Sequence, residues 1–124
     1  MLKLKTKWFN KWANKNSISD DTLIDTLESL ANNLNSVSLG GGLFKVRTAK
    51  TGQGKSGGFR TIVVYKKEEL AVFVYGFSKS DKDNLDKNEL KYFKKLANDL
   101  LKINALDYLT LVKSGSFFSL KEEQ

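Results

Sequence analysis

Two segments with strand-like patterns and the basic connection between them decide the fold: Gly40-Gly-Gly-Leu-Phe-Lys45-Val-Arg47-Thr-Ala-Lys50-Thr-Gly-Gln-Gly-Lys55-Ser-Gly-Gly-Phe-Arg60-Thr-Ile-Val-Val-Tyr65-Lys-Lys67. The stretch contains no Asp or Glu, but it carries seven Lys or Arg residues and seven of the nine glycines. Its charge of +7 equals the net charge of the whole chain, so the other residues balance to zero. Both arginines, Arg47 and Arg60, lie within it. Clustered cations, forked guanidinium groups and glycine N–H groups suit phosphate, which indicates a nucleic acid backbone as the partner.

The composition is that of a small globular protein with a basic surface. A chain of 124 residues supports a single core, so we expect one domain over residues 1–124. A pI near 9.5 favours anionic partners. Net charge alone is equally compatible with lysines that only keep the surface soluble. The clustering of the cations in one stretch is what favours a nucleic acid.

Cysteine and histidine are both absent from the chain. Disulfides, thiolate nucleophiles, Cys or His metal sites and histidine acid–base catalysis are therefore excluded, and we expect neither a metal nor a cofactor. No stretch reaches the roughly 18 apolar residues that a membrane span needs, and the N-terminus lacks the apolar run of a signal peptide. We expect a cytoplasmic protein that does not enter a membrane.

The N-terminal third of the chain predicts one strand and two helices. Residues 2–6 alternate between apolar and polar, as in a short strand. Residues 7–16 place three aromatic side chains on one face of a short helix, which we interpret as core or interface packing rather than base stacking. Ser19 is typical of a helix N-cap, and a leucine repeat extends this second helix to near Asn35.

Three strands are predicted to follow, over residues 43–49, 59–66 and 70–77. In the first, period two places Lys45 and Arg47 together on one face, which must be solvated. The other two strands are apolar on both faces, as central strands are.

Arg60 and Lys79 lie at opposite ends of the second and third strands in sequence. Because antiparallel pairing brings the start of one strand beside the end of the other, we expect these two cations to be neighbours.

The C-terminal third predicts a helix that starts at a capping box, with Asp86 as N-cap and Glu89 three residues later. Apolar positions at helical spacing continue this helix to Leu100, and the pattern weakens after Ile103. Beyond it, residues 105–112 are compatible with a helix or a strand, and residues 117–120 with an edge strand. We therefore treat residues 103–124 as a C-terminal extension whose structure the sequence does not define.

The segment from Lys50 to Gly58 is predicted to be a glycine-rich loop. Two readings are open. The loop could wrap a phosphate through two lysines and several glycine N–H groups (Lys50, Lys55, Gly52, Gly54, Gly57 and Gly58), or its glycines could only turn the chain. It is not a nucleotide-binding P-loop, because Ala49 occupies the position where that motif needs its first glycine.

RNA cleavage without histidine is chemically possible on such a chain. A base must take the proton of the ribose 2′-hydroxyl, and positive charge must stabilise the pentavalent phosphate and the departing oxygen. A lysine whose pKa is lowered by neighbouring cations can be that base. The cluster of Lys45, Arg47 and Arg60 could supply these roles, although a non-catalytic RNA binder would carry the same cations.

A family resemblance adds to this reading. The order of strand, helix pair and three strands resembles the RelE/HigB toxins of bacterial type II toxin–antitoxin systems. So do the segments Leu43-Phe-Lys45-Val-Arg47, Gly58-Phe-Arg60-Thr-Ile-Val-Val-Tyr65 and Phe73-Val-Tyr75-Gly-Phe-Ser-Lys79-Ser. The resemblance covers about residues 1–103, and the Gly-Lys-x-Gly-Gly-x-Arg run resembles the HigB-type branch.

The resemblance implies a RelE-like α+β domain, with an antiparallel sheet on which two N-terminal helices and a C-terminal helix pack. It implies a ribosome-dependent mRNA endonuclease that cuts the A-site codon through the message's own 2′-hydroxyl, without metal. The implied partners are the ribosome, mRNA and a cognate antitoxin, expected to be a small helix-turn-helix protein.

Matching positions give the implied site residues. Lys45 and Arg47 take the places of basic residues that line the cleft of RelE, and Arg60 that of its phosphate-stabilising arginine. Lys79 lies one position before a further family arginine, where this chain has Ser80. Asp86 stands about where the family has a tyrosine.

These departures leave the general base and acid open, with Tyr75, Lys50 and Lys55 as candidates. We assign catalysis to Lys45, Arg47, Arg60 and Lys79. Nucleic-acid contacts are assigned to Lys50, Lys55, Gly54, Gly57, Gly58 and Tyr75, and no residue is assigned to a metal.

Two other classes compete with the nuclease. The first is a non-catalytic RNA- or protein-binding module of the same fold. The second is a DNA-binding regulator, which is disfavoured because no helix concentrates the Arg, Asn and Gln side chains that read a major groove.

Overall fold

The helices and strands that the structure describes are arranged around one sheet. A computed structural model describes residues 1–50 and 54–121, and within 54–57 it describes the backbone alone. The elements are β1 (Leu2–Thr6), α1 (Lys7–Lys15), α2 (Asp20–Ala31), β2 (Ser36–Gly40), β3 (Leu43–Lys50), β4 (Gly54–Lys66), β5 (Leu70–Ser78), α3 (Lys87–Leu100), α4 (Ala105–Lys113) and β6 (Phe117–Ser119). The predicted α+β fold is confirmed.

The sheet has six strands in the order β2-β3-β4-β5-β1-β6. Four of its five strand pairs are antiparallel, and β1 lies parallel to β5, with Leu4 opposite Val72. The sheet is therefore antiparallel, as predicted, except for this one pair. The parallel pair arises because the chain leaves β1 through α1 and α2 and returns at the far edge of the sheet, which is the kind of crossover that parallel strands require.

Each face of the sheet carries two helices. On one face, α1 and α2 bury Phe9, Leu23 and Leu27 against strand residues such as Phe73. On the other face, α3 and α4 bury Phe93, Ala97, Leu100 and Tyr108 against strand residues such as Ile62 and Val64. The strands β4 and β5 have apolar residues on both faces because both faces are covered, as predicted.

The second helix ends four residues before the predicted end. α2 stops at Ala31, and Asn33 and Asn35 adopt left-handed backbone with φ of 58° and 56°. Asparagine tolerates this conformation better than most residues, so the cluster of asparagines ends the helix. Leu34, predicted to lie on the apolar stripe, is 56% exposed. The residues that follow the helix form β2 at the edge of the sheet. The sequence analysis missed this strand.

The loop predicted between Lys50 and Gly58 is shorter than expected. β4 begins at Gly54, which pairs with Lys50 of β3, so the two strands form a long hairpin. The glycines concealed the strand because they carry no side chains to show a period of two. Gly58 is required for packing, since a Cβ placed on it would lie 2.4 Å from the Thr48 carbonyl oxygen.

The C-terminal extension folds into α4 and β6, which settles the alternative of helix or strand for residues 105–112 in favour of the helix. β6 pairs with β1 as an edge strand, which the sequence had left as one possibility for residues 117–120. Tyr108 anchors this region, because it is 1% exposed and its hydroxyl donates to the Leu100 carbonyl at 2.6 Å. None of the described helices has the length and apolar character to cross a membrane.

Tyr108→Phe tests this anchor through the pH dependence of stability. Burial raises the pKa of Tyr108 to about 12. The folded state therefore favours the neutral phenol. The contribution of Tyr108 to the stability of the fold is complete below the ordinary tyrosine pKa of about 10, and it is lost as the pH rises towards 12. We expect the variant to be less stable by about 1 kcal/mol at pH 8, because it lacks the hydrogen bond. Urea unfolding should show this deficit shrinking between pH 10 and 12, and a constant deficit would contradict the account.

Candidate nucleic-acid interface

A cationic cleft opens on the face of the sheet that carries α3, beyond the N-terminal end of that helix. It has a volume of about 490 Å³. Its lining comprises Asn35, Ser36, Val37, Lys45, Arg47, Arg60, Lys79 and Asp83. The four residues to which the sequence assigned catalysis all line this one cleft. They come from β3, β4 and the segment after β5, so strand pairing gathers cations that are up to 34 positions apart in sequence.

The two arginines are direct neighbours across the strands, since Arg47 of β3 is paired with Arg60 of β4. The Arg47 N–H donates to the Asn35 carbonyl oxygen at 2.9 Å, on the side away from β4. The pair is therefore of the non-hydrogen-bonded type, in which facing side chains lie closest. Like charges in this arrangement repel one another. The sequence predicted a shared cleft but not this direct pairing.

Arg60 is the most enclosed of the four cations, with 8% of its surface exposed, whereas Arg47 is exposed. Burial lowers the pKa of the Arg60 guanidinium, Arg47 lowers this pKa further, and Asp83 opposes both effects. An arginine remains charged under such conditions. Among the described residues Arg60 has no carboxylate partner within ion-pair distance, so its charge is available to an anion that enters the cleft.

Lys79 lies beside Arg60, as the antiparallel pairing predicted. Arg60 is opposite Phe77, and the Lys79 N–H donates to the Gly58 carbonyl oxygen at 3.4 Å. Lys45 is steadied by a hydrogen bond from its ammonium group to the Asn84 side-chain oxygen at 3.3 Å. β3, β4 and the segment that follows β5 therefore each contribute at least one cation to the cleft.

The sequence analysis missed the polar wall of the cleft. Asn35 reaches it because left-handed backbone turns the chain there, and Asp83 belongs to the segment between β5 and α3. The asparagines around position 35 were a usable signal for a turn. Nothing in the sequence places Asp83 in the same cleft as Arg60, since its position depends on how the segment folds back over the sheet.

Buried threonines support the arginine-bearing strands from behind. The Thr48 hydroxyl lies 3.1 Å from that of Thr61 and 3.2 Å from that of Thr26 on α2. All three residues are buried, and every hydroxyl has a partner. This network ties α2 to β3 and β4, so it fixes the strands on which Arg47 and Arg60 stand.

The residues assigned to nucleic-acid contacts are not all at the cleft. The Lys50 ammonium group lies 5.9 Å from the ring of Phe59, which packs with α1 and α2 on the face away from Arg60. Gly58 lies within β4 and packs closely against Thr48. Gly54 and Gly57 belong to the backbone of β4, and the side chain of Lys55 lies outside the described residues, as does Gly52. Their proposed phosphate contacts stay predictions.

Tyr75 lies in a separate apolar groove between α1 and α3. Its ring is 4.8 Å from that of Trp8 and 5.0 Å from that of Phe93. Burial raises the pKa of Tyr75, and a hydrogen bond to Glu89 raises it further. The tyrosine is therefore poorly suited to act as a general base, and it does not line the cationic cleft. Trp8, which was expected to be packed, is 47% exposed at the rim of this groove.

Over the residues that the structure describes, no group of three or more acidic, Cys or His side chains could hold a metal ion. The chemistry that the cleft offers is that of amines and guanidinium groups. These side chains bind and stabilise negative charge, and an uncharged lysine can accept a proton.

The fold and the cleft define a small α+β protein with a concentrated cationic site. The family model of the RelE toxin of the RelE/RelB toxin–antitoxin system matches residues 1–120. The chain therefore belongs to the RelE toxin family. Toxins of this family generally inhibit translation and are generally endoribonucleases, and the family implies a cognate RelB-type antitoxin. No curated protein matches the chain significantly.

Arg47→Gln tests the repulsion between the arginines. Removing one of two facing like charges should raise the free energy of unfolding by about 0.5 kcal/mol at low ionic strength. The gain should largely disappear at 1 M salt, where the Debye length is about 3 Å. Urea unfolding at the two salt concentrations measures both effects. The control Lys67→Gln removes an exposed charge in the turn that follows β4, and an equal gain in that variant would count against specific repulsion in the cleft.

Proposed function

We propose that this toxin is a ribosome-dependent mRNA endonuclease that cuts the codon in the A site. The 2′-hydroxyl of the message attacks the adjacent phosphate, and no metal takes part. The observation that carries this proposal is the convergence of Lys45, Arg47, Arg60 and Lys79 on one cleft. Such a cleft can hold a ribose–phosphate chain by charge, and ribosomal positioning would supply the in-line geometry that the reaction needs.

The roles follow from position and exposure. Arg60 is enclosed and has two parallel donors, so it is assigned to the phosphate as this becomes pentavalent. Arg47 faces it from β3 and shares the developing charge. Lys45 and Lys79 stand on the two sides of this pair, where one amine would accept the 2′-hydroxyl proton and the other would stabilise the departing 5′-oxygen.

We propose two candidates for the general base and the general acid, without assigning each role to one residue. Lys50 points to the other face of the sheet, and Tyr75 is held in the apolar groove with a raised pKa. Among the described residues, Lys45 and Lys79 are the amines that line the cleft. The proposal therefore limits proton transfer to these two lysines, unless the ribosome provides a group.

The finer features of the system are proposals of the same kind. The Gly-Lys-x-Gly-Gly-x-Arg run supports a HigB-type member, acting as one toxin domain over residues 1–124 in the cytoplasm. Its antitoxin is proposed to be a small helix-turn-helix protein. A cleft with three more cations than carboxylates suits an acidic antitoxin segment, because opposite charge steers association.

A non-catalytic RNA- or protein-binding module is the second candidate, because the same cations would bind RNA without cutting it. It is supported by the two departures from the family pattern, Ser80 and Asp86, at positions where RelE has an arginine and a tyrosine. Induction of the protein separates the two functions: the nuclease breaks translated messages, whereas the binder leaves them intact.

Arg60→Ala should abolish growth inhibition on induced expression. Loss of one donor to a developing negative charge costs about 100- to 1000-fold in rate. Colony counts after induction measure the effect, and thermal unfolding confirms that the variant is folded. Lys67→Ala is the matched control, since it removes a cation from the same hairpin without touching the cleft, and it should remain toxic. A folded Arg60→Ala protein that inhibits growth like the wild type would refute the assigned site.

A further inference from the structure

The segment between β5 and α3, residues 79–86, forms one wall of the cleft. Lys79 and Asp83 line the cleft, and Asn84 accepts the hydrogen bond from Lys45. The segment has no regular secondary structure and is largely exposed. Lys79 repels the arginines of the cleft, whereas Asp83 attracts Arg60. These opposing charges do not by themselves fix the position of the segment, so its other contacts must do so.

Glu89, in the first turn of α3, fastens this segment at two points. Its Oε1 atom accepts a hydrogen bond from the Asp86 N–H at 3.0 Å and forms an ion pair with the Lys82 ammonium group. In return, Asp86 accepts a hydrogen bond from the Glu89 N–H at 2.8 Å, which completes the capping box. One carboxylate therefore connects the middle of the segment to the start of the helix.

The ammonium group of Lys82 also lies over two aromatic rings of β5. Its ammonium nitrogen lies 5.4 Å from the ring centroid of Phe77 and 5.6 Å from that of Tyr75. Phe77 is the cross-strand partner of Arg60, so Lys82 is fixed next to the strand position that carries the most enclosed arginine. Cation–π contacts of this kind add to the ion pair, and the partly enclosed surroundings reduce screening by solvent.

The pair remains ionised at neutral pH. The hydrogen bond from Lys82 lowers the pKa of Glu89, and the hydrogen bond to Glu89 raises the pKa of Lys82. Neither residue lines the cleft. Lys82 and Glu89 contact the segment, the helix cap and two aromatic rings. These contacts hold the segment in place and do not reach the cleft.

We propose that Lys82 and Glu89 are positioning residues, which clamp residues 79–86 to α3 and β5 so that Lys79 and Asp83 stay beside Arg60. The clamp sets the affinity of the cleft for RNA and the position of Lys79, and neither Lys82 nor Glu89 lines the cleft itself. This inference rests on the proposed function for its substrate. The clamp itself follows from the contacts alone.

Two substitutions with opposite effects on charge distinguish a clamp from simple electrostatics. Lys82→Met removes a positive charge, and Glu89→Gln removes a negative one. If only net charge mattered, the first change would weaken RNA binding and the second would strengthen it. If the clamp matters, both weaken binding. The double variant should then be no worse than the single ones, because each change breaks the same connection.

The experiment measures cleavage of a translated message on ribosomes, as kcat and KM, for the wild type and these variants. It also measures the affinity for a short fluorescein-labelled RNA. We expect KM and the RNA dissociation constant to rise about tenfold in both single variants. We expect kcat to fall as well, because the displaced Lys79 is one of the two amines assigned to proton transfer. Hydrogen exchange of residues 79–85 should accelerate in both. Lys82→Arg should restore affinity and protection, and Lys87→Met, an exposed charge on the same helix, should behave as the wild type.

Tighter RNA binding by Glu89→Gln, or additive losses in the double variant, would overturn the clamp. A kcat loss without a change in KM would overturn it as well. A wild-type protein that neither cuts nor binds RNA would instead overturn the proposed function. The exchange rates would in that case still decide whether Lys82 and Glu89 hold the segment.

Discussion

The repulsion between Arg47 and Arg60 is the constraint on which the rest of the structure depends. Pairing two guanidinium groups across neighbouring strands costs stability, and the remainder of the fold offsets this cost. Apolar side chains on both faces of β4 and β5 hold the strands in register, and the Thr26–Thr48–Thr61 hydroxyl network fixes them from behind. A strained cationic pair of this kind is relieved when a phosphate enters, so the stability given up in the free protein favours binding.

The four cations of the cleft lie on two kinds of backbone, which are paired strands and an irregular segment. The strands that carry Lys45, Arg47 and Arg60 each have a neighbouring strand on both sides. The fourth cation, Lys79, lies on an irregular segment that is held by Asn84, Glu89 and the rings beneath Lys82. The two arginines that we propose to bind phosphate therefore lie on paired strands, whereas Lys79 lies on the irregular segment between β5 and α3. The apolar groove around Tyr75 and Trp8 is a separate surface, which the cationic chemistry does not use.

Much of the fold could be predicted because it follows from local patterns. The capping box at Asp86 and Glu89, the cap at Ser19 and the apolar strands β4 and β5 lie where the sequence placed them. The elements that the sequence analysis missed lie where the residues show no clear alternation of apolar and polar side chains. β2 follows a group of asparagines that ended α2 early, and the start of β4 is glycine-rich. The extension beyond Ile103 was ambiguous because its apolar residues fit either period.

The candidate site was predictable to the extent that it depends on strand pairing. Alternation put Lys45 and Arg47 on one face, and antiparallel geometry put Lys79 near Arg60. Register was beyond the sequence, so the direct opposition of the two arginines was not foreseen. The placement of Tyr75 was also unforeseen, because the packing of α3 decides which surface it reaches. Lys50 lies on the same face as Thr48, which the alternation along β3 could have indicated.

The central claim is that these gathered cations cut RNA within a translating ribosome by attack of its own 2′-hydroxyl. Mapping both new ends of a reporter message, after adding the purified protein to a translating extract, tests it most directly. The account predicts breaks spaced by codons, confined to the translated frame, with a 2′,3′-cyclic phosphate at the upstream end. Intact message would contradict it, and so would breaks that appear equally when translation is blocked.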